Sequence, residues 1–358
     1  MPRTIIPFGP QHPVLPEPIH LDLVLEDEKV VEAIPSIGFI HRGLELLITK
    51  KDFTEMPYVS ERICGICSFI HGLGYCQGVE EIMKLQVPER AKYLRVIWSE
   101  LSRIHSHLLW MGLAADAAGF ESLFMHCWKL REKILDIFEA TTGGRVIFSV
   151  CKVGGVRKDM DNSVIQGIVK TLKDLAEKYD SVARVFKGDY SMKHRLCNVG
   201  VLPKEDALKL GAVGPTLRGS GIAQDMRKLG YAVYNELSFE PVVEEDCDCY
   251  ARCMVRAREI NQSIDLIAQA ASKIPDGPLD VKISSGPDGE FFSRLEQPRG
   301  EVVYYIKGNG SKFLDRFRVR TPTFANIPPL LKMLGGCNLS DVPVIVLSID
   351  PCISCTER

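Results

Sequence analysis

The chain has 358 residues, 46% of them hydrophobic and 25% charged, enough to bury a large core and too apolar for a disordered segment. Its 44 Lys and Arg against 46 Asp and Glu give a formal charge of −2, which leaves no electrostatic footprint for nucleic acid.

At the N-terminus, MPRTIIPFGP lacks the apolar stretch of a signal peptide, and no run reaches the roughly 18 apolar residues that cross a bilayer, so a soluble, cytoplasmic chain is expected. Ile19, Leu21, Leu23 and Leu25 alternate with polar His20 and Asp22, which predicts a half-buried strand. Glu26 to Lys29 reads as a turn and Val30 to Ile34 as the returning strand, a hairpin within an N-terminal region 1–50 that ends in GFIHRGLELLITKKDF. Pro88 is expected at the first helical position of a long buried helix carrying Leu94, Ile97, Leu101, Ile104, Leu108 and Met111. Similar patterns predict helices over about Glu121–Ala140, Asn162–Phe186 and Glu245–Ile274, a bundle filling 88–275.

Glycine and proline cluster at Gly211–Gly221 and Ser284–Gly289 as loops between helical blocks, with no composition break, so one domain spanning 1–358 is expected. In the C-terminal region 290–358, Val302–Ile306 and Phe313–Thr321 read as a second hairpin, followed by a short helix at Ile327–Leu334 and an apolar strand VPVIVLSID. The tail PCISCTER then reads as buried. The expected class is mainly α (α+β): a bundle of long helices with peripheral β-hairpins.

The chain contains 12 cysteines, and with no secretory signal they are expected to be reduced, which points to metal or redox chemistry. Two CxxC clips stand out, Cys64 and Cys67 in ERICGICSFIH and Cys352 and Cys355 in DPCISCTER. Sulfur donors select zinc, iron–sulfur clusters or nickel over magnesium or calcium, and the clip pattern alone allows a closed four-cysteine zinc or iron site. Zinc ribbons, however, usually place their clips about 15–20 residues apart, whereas these stand near opposite ends of the chain. A thioredoxin-like pair lacks the alternating strands and helices it needs. Cys247, Cys249 and Cys253 read as packing on a helix, with Cys76, Cys127, Cys151, Cys197 and Cys337 scattered, so no iron–sulfur cluster is expected in this chain.

RICGICSFIH, followed far downstream by DPCISC, resembles the paired signatures of the [NiFe] hydrogenase large subunit. GPQHPVLPEP and HRGLE make the chain similar to the energy-converting, membrane-associated branch related to respiratory complex I. The resemblance spans essentially the whole chain. It implies nickel held by Cys64, Cys67, Cys352 and Cys355, with Cys67 and Cys355 also bridging to an iron that carries carbon monoxide and two cyanides.

It also implies that protons leave from Cys355 through Glu17, which sits between Pro16 and Pro18 and matches the family's gate glutamate. Composition alone would make Glu17 a surface residue before a strand. Arg299, after Pro298 in QPRGE, matches an arginine reaching over the active site, and Thr323 a second cyanide donor. Asp350 matches an outer carboxylate of the family, His71, four residues after Cys67, is placed to hydrogen-bond a bridging thiolate and tune its basicity, and Arg62 is expected to add positive charge nearby. Glu45 matches a position that binds magnesium or iron, but Arg358 stands where many relatives have a histidine ligand, and a Glu45–Arg358 ion pair is the alternative. His105 and His107 flank Ser106, where uptake-type relatives often carry an aspartate, and read as core histidines.

The function implied is a ferredoxin-linked hydrogenase subunit interconverting protons and H2 on the cytoplasmic side of the cell membrane. Its implied partners are a small subunit with a [4Fe–4S] cluster, a ferredoxin-like iron–sulfur subunit, integral-membrane ion-translocating subunits and ferredoxin. The rival of another class is a complex I-like quinone-site coupling subunit of the same fold that carries no metal, and a structural zinc protein is the third reading.

Overall fold

The structure is a computed structural model that describes residues 3–358. It opens with a three-stranded antiparallel sheet of β1 (Arg3–Phe8), β2 (His20–Glu26) and β3 (Lys29–Ser36), in that order. Leu21, Leu23 and Leu25 all point into the core, as a period of two requires. The expected hairpin is therefore the inner part of a larger sheet. Its extra strand, β1, lies at the sheet's edge and is mostly exposed, so it carries no inward–outward alternation to read.

Three helices link this sheet to the bundle: α1 (Leu44–Thr49), α2 (Met56–Glu61) and α3 (Ser68–Met83). Sequence patterning predicts none of them. α3 is buried on nearly every side, so it has no polar stripe, and its glycines admit neighbours where a side chain could not fit. A Cβ at Gly74 would lie 2.1 Å from the Tyr304 ring.

The bundle is built on α4 (Glu89–Ala117) and α5 (Glu121–Thr142), followed by a minimal hairpin of β4 (Cys151–Lys152) and β5 (Gly155–Val156). It continues with α6 (Asn162–Gly188), three shorter helices, α7 (Tyr190–Leu196), α8 (Lys204–Lys209) and α9 (Pro215–Arg218), and then α10 (Cys249–Lys273). Pro88 caps α4 in an extended conformation one position before the helix begins. The start expected at Glu245 moves to Cys249 because the Asp248 carboxylate accepts the amide of Ala251, an N-cap that fixes the first turn. Cys247, with a left-handed φ of 63°, therefore lies off the helix that carries Cys249 and Cys253.

The C-terminal region holds a second three-stranded sheet of β6 (Asp288–Gln297), β7 (Gly300–Asn309) and β8 (Leu314–Arg320). The predicted hairpin is β7–β8, and β6 escapes notice because only its inner end is buried. α11 (Pro322–Leu334), α12 (Val342–Ser348) and α13 (Ile353–Glu357) complete the chain. VPVIVLSID is thus a helix and not the strand its β-branched residues suggest. It packs against α4, α10 and α11, where no strand edge is offered, and a helix satisfies its own amides. Trp110 of α4 donates to the Leu347 carbonyl at its end, at 2.7 Å. The architecture is mainly α with small peripheral sheets, as expected. No helix among the described residues is long and apolar enough to cross a membrane.

Candidate metal centre

The first clip occupies the turn between α2 and α3, where Cys67 is the residue preceding the first turn of α3. The second follows α12 through Asp350, whose φ of 54° turns the chain inward before Pro351, and Cys352 precedes α13. These turns meet in the core. Cys64 Sγ lies 3.2 Å from Cys352 Sγ, and Cys67 Sγ lies 3.6 Å from Cys355 Sγ. All four are buried free thiols. The Cys64, Cys67 and Cys355 sulfurs lie within 4.8 Å of one another, the one such group of three or more potential ligands found among the described residues.

The loop from β3 to α1 clamps both clips. Arg42 donates to the carbonyls of Arg62 and Ile63 at 2.8 Å and of Ser354 at 2.9 Å, so one guanidinium ties the first clip to the second. The Glu357 carboxylate accepts the amides of Gly38, at 2.7 Å, and Ile40, while its carbonyl meets His41 Nδ1. Thr321 donates to the Cys355 carbonyl at 3.1 Å, and Thr323 Oγ1 accepts the Cys352 amide at 3.0 Å.

His71, on α3, brings Nε2 to 3.3 Å from Cys355 Sγ, with Tyr304 hydroxyl at 2.8 Å from Nδ1 and Gln297 Nε2 at 3.2 Å from Nε2. Burial drives its pKa down to about 3, so the ring is neutral. Pro298 and Arg299 form the two-residue turn between Gln297 and Gly300. Gly300 permits it: with φ 129°, its Cβ would lie 2.7 Å from Gly214 just before α9. Arg299 donates through Nε to the Asp350 carbonyl and through Nη2 to its carboxylate, both at 2.9 Å.

Glu17 lies half-buried against the second clip, its Oε2 accepting the Ile353 amide at 2.5 Å. Burial first, and then the neighbouring Cys352 charge, push its pKa up to about 7 against the pull of that amide. The cysteine whose charge bears on Glu17 is thus Cys352, while His71 meets Cys355 Sγ.

The residues fit a metal held by soft donors. Hydrogen bonds from the Cys352 thiol and its neighbours pull Cys64 well below the usual thiol range, while burial holds Cys355 well above it. Arg299 Nη1 and Asp350 Oδ2, both buried beside the clips, have no protein partner. Glu45 is engaged within the protein. Its oxygens are taken by the Val319 amide at 2.9 Å, Arg358 Nε at 3.0 Å and Arg318 Nη1 at 2.5 Å, so the ion pair is what stands there.

Arg62 is exposed and turned toward the Tyr58 carbonyl, away from the sulfurs. The residue before the clip, not its cation, is what Arg42 uses. His107 binds Glu259 at 2.8 Å and His105 binds Arg131 at 3.0 Å, both as core histidines. Cys76, Cys127, Cys151, Cys249 and Cys253 are buried packing residues outside the clip cluster. Sequence reasoning passed over Arg42, Gln297 and Tyr304. Arg42 and Gln297 lie inside the quoted segments HRGLE and QPRGE, whereas nothing local marks Tyr304.

A family model described as respiratory-chain NADH dehydrogenase, 49 kDa subunit, matches residues 117–286 and 282–358, and one described as nickel-dependent hydrogenase matches 42–113. The membrane-bound hydrogenase subunit alpha of Pyrococcus furiosus is 39% identical over 99% of this chain and 87% of its own. The carbon monoxide-induced hydrogenase of Rhodospirillum rubrum is 40% identical over 99% of both chains. An NADH-quinone oxidoreductase subunit of Chloroherpeton thalassium is 35% identical over 97% of this chain and 86% of its own.

Proposed function

The chain belongs to the family that unites nickel-dependent hydrogenase large subunits with the 49 kDa subunit of respiratory NADH dehydrogenase, and from that membership we propose that it is the catalytic subunit of an energy-converting [NiFe] hydrogenase. The observation that carries this reading is the convergence of four reduced cysteines from two distant clips in one buried cluster.

Cys64, Cys67, Cys352 and Cys355 would hold nickel, with Cys67 and Cys355 shared with an iron bearing carbon monoxide and two cyanides. When bound, that group supplies the redox chemistry of 2H+ + 2e− ⇌ H2. The chain's own residues handle the protons. A thiolate at Cys352 is a base able to accept one, and Glu17, with its carboxyl poised near neutrality, takes it onward from a half-buried position at Oε1, the oxygen that the Ile353 amide leaves free. Neutral His71 steadies the Cys355 sulfur by hydrogen bonding and adds no charge beside it. Arg299, anchored on Asp350, keeps Nη1 free to donate a hydrogen bond toward a cyanide or the substrate side.

Electrons leave through partners, because the other cysteines of this chain are dispersed packing residues. The name of the Pyrococcus furiosus relative, a membrane-bound hydrogenase subunit alpha, supports a membrane-bound, multisubunit setting, and we assign as partners a small subunit with a [4Fe–4S] cluster, a ferredoxin-like subunit supplied by ferredoxin, and ion-translocating membrane subunits. The quinone-site alternative draws support from the NADH-quinone oxidoreductase relatives. The four assembled thiols favour the metal centre over it, since a coupling subunit has no use for them. Metal analysis and infrared spectroscopy of the purified complex test the choice. Nickel and iron in near-equal amounts in this subunit, with carbonyl and cyanide bands, are expected; zinc alone, or no metal in an active quinone-reducing complex, overturns the proposal.

A further inference from the structure

The turn that brings Arg299 to the cysteines hangs on the inner end of β6, which becomes buried from Leu295 onward. Glu296 there meets four partners outside its own sheet. Its amide donates to the Tyr231 hydroxyl at 3.3 Å, and its carbonyl accepts from Arg103 Nη2 at 2.9 Å. Its carboxylate accepts from Arg218 Nη1 at 2.7 Å and from the Met226 amide at 3.0 Å. Arg103 places its other terminal nitrogen, Nη1, on the Gln297 carbonyl at 3.1 Å. Two guanidiniums, one from α4 and one from α9, therefore grip the two residues immediately before the turn.

Those guanidiniums are fixed in their turn. Arg103 Nε donates to Glu100 at 3.2 Å, and Arg218 donates to Glu259 through Nε at 3.0 Å and Nη2 at 2.7 Å. All four of these side chains are 0% exposed. Desolvation offsets most of what such ions gain from one another, and apolar residues of similar volume would join the helices as firmly. A planar fork with five donors gives direction instead, which is what placing a backbone requires. Beyond the grip, the Gln297 amide reaches the His71–Cys355 contact and Arg299 reaches Asp350.

We propose that Arg103 and Arg218 are positioning residues for the metal centre: through Glu296 and Gln297 they set where the Gln297 amide and the Arg299 guanidinium stand against the cysteine clips. Both act through the hairpin, so their loss displaces groups beside the metal without removing a ligand. The inference rests on the nickel–iron reading above.

The test uses the whole complex, purified as wild type and with Arg103→Met, Arg103→Lys, Glu296→Gln and, as a control, Arg95→Met. Arg95 lies on the same helix and makes a nearly as deeply buried pair with Glu80, away from the turn. Arg103→Met is expected to retain nickel and iron, shift the carbonyl and cyanide bands and lower kcat at least tenfold, with Arg103→Lys recovering part of both. Glu296→Gln, which keeps the shape and removes a charge, is expected to shift the bands less, and Arg95→Met not at all. Should Arg103→Met fail to load metal, Glu296→Gln decides. Bands and kcat unmoved in the metal-loaded variants, or moved equally by Arg95→Met, overturn the proposal, whereas wild type lacking those bands overturns the nickel–iron reading itself.

Discussion

Two fully buried polar regions lie side by side in this molecule and are finished differently. In the ionic network of Glu100, Arg103, Arg218, Glu259 and Glu296, each carboxylate is met by guanidiniums, hydroxyls or amides. At the cysteine clips, four thiols face one another, and Arg299 Nη1 and Asp350 Oδ2 lack any protein partner. A buried polar group left unpaired is costly, and here two stand directly beside four facing thiols, where a bound group would satisfy them. The closed network reads as scaffold and the open cluster as site.

The sharpest way to break that distinction is to remove a sulfur. Cys67→Ser or Cys355→Ser is expected to abolish hydrogen turnover and nickel content together while the chain stays folded, as metal analysis, gas measurement and circular dichroism would report. Glu17→Gln comes next. It keeps the Ile353 contact but cannot carry a proton, so turnover is expected to fall about 10²–10⁴-fold with nickel unchanged. A turnover near wild type would remove Glu17 from the proton path. Arg42→Ala, which unties one clip from the other, is expected to weaken metal retention about tenfold, read by timed chelator challenge.

Glu61 sharpens the comparison from another side. It is buried, its Oε1 has no partner, and burial pushes its pKa up to about 7. The folded carboxyl keeps its proton where the unfolded one has released it. Its contribution is therefore present at low pH and lost as pH rises from about 4.5 to about 7, on the order of 3 kcal/mol. Glu61→Gln is expected to flatten that part of the curve of melting temperature against pH and to spare turnover. Smallest of all, Arg62→Ala should change stability by less than about 0.5 kcal/mol and leave the metal untouched, since the side chain is exposed.

What could be read in the sequence follows the same divide. The long helices α4, α5, α6 and α10 announce themselves because each has a face to bury and a face to show. α3 and α12, buried almost all round, show neither, and β1 and β6 are too exposed for alternation to register. The clips, Glu17 and Arg299 stand in compact signatures that draw attention to them, although composition alone would leave Glu17 at the surface. Tyr304 does not: it reaches His71 only because β7 packs on α3 across 233 residues of sequence. The scaffold residues Arg103 and Arg218 look, in sequence, like any helical arginine.

The sulfur contacts join Cys64 to Cys352 and Cys67 to Cys355, and both span an identical 288 positions. The clips pair in parallel, first cysteine with first and second with second, as two rungs of one short ladder. Deleting a single residue between Cys64 and Cys67 would throw one rung out of step with the other. In the long stretch between the clips only exposed surface loops escape that discipline, since doubling the length of a flexible loop costs only about 0.6 kcal/mol. Surface insertions in that stretch can accumulate freely, while the two short metres that bracket it must keep time.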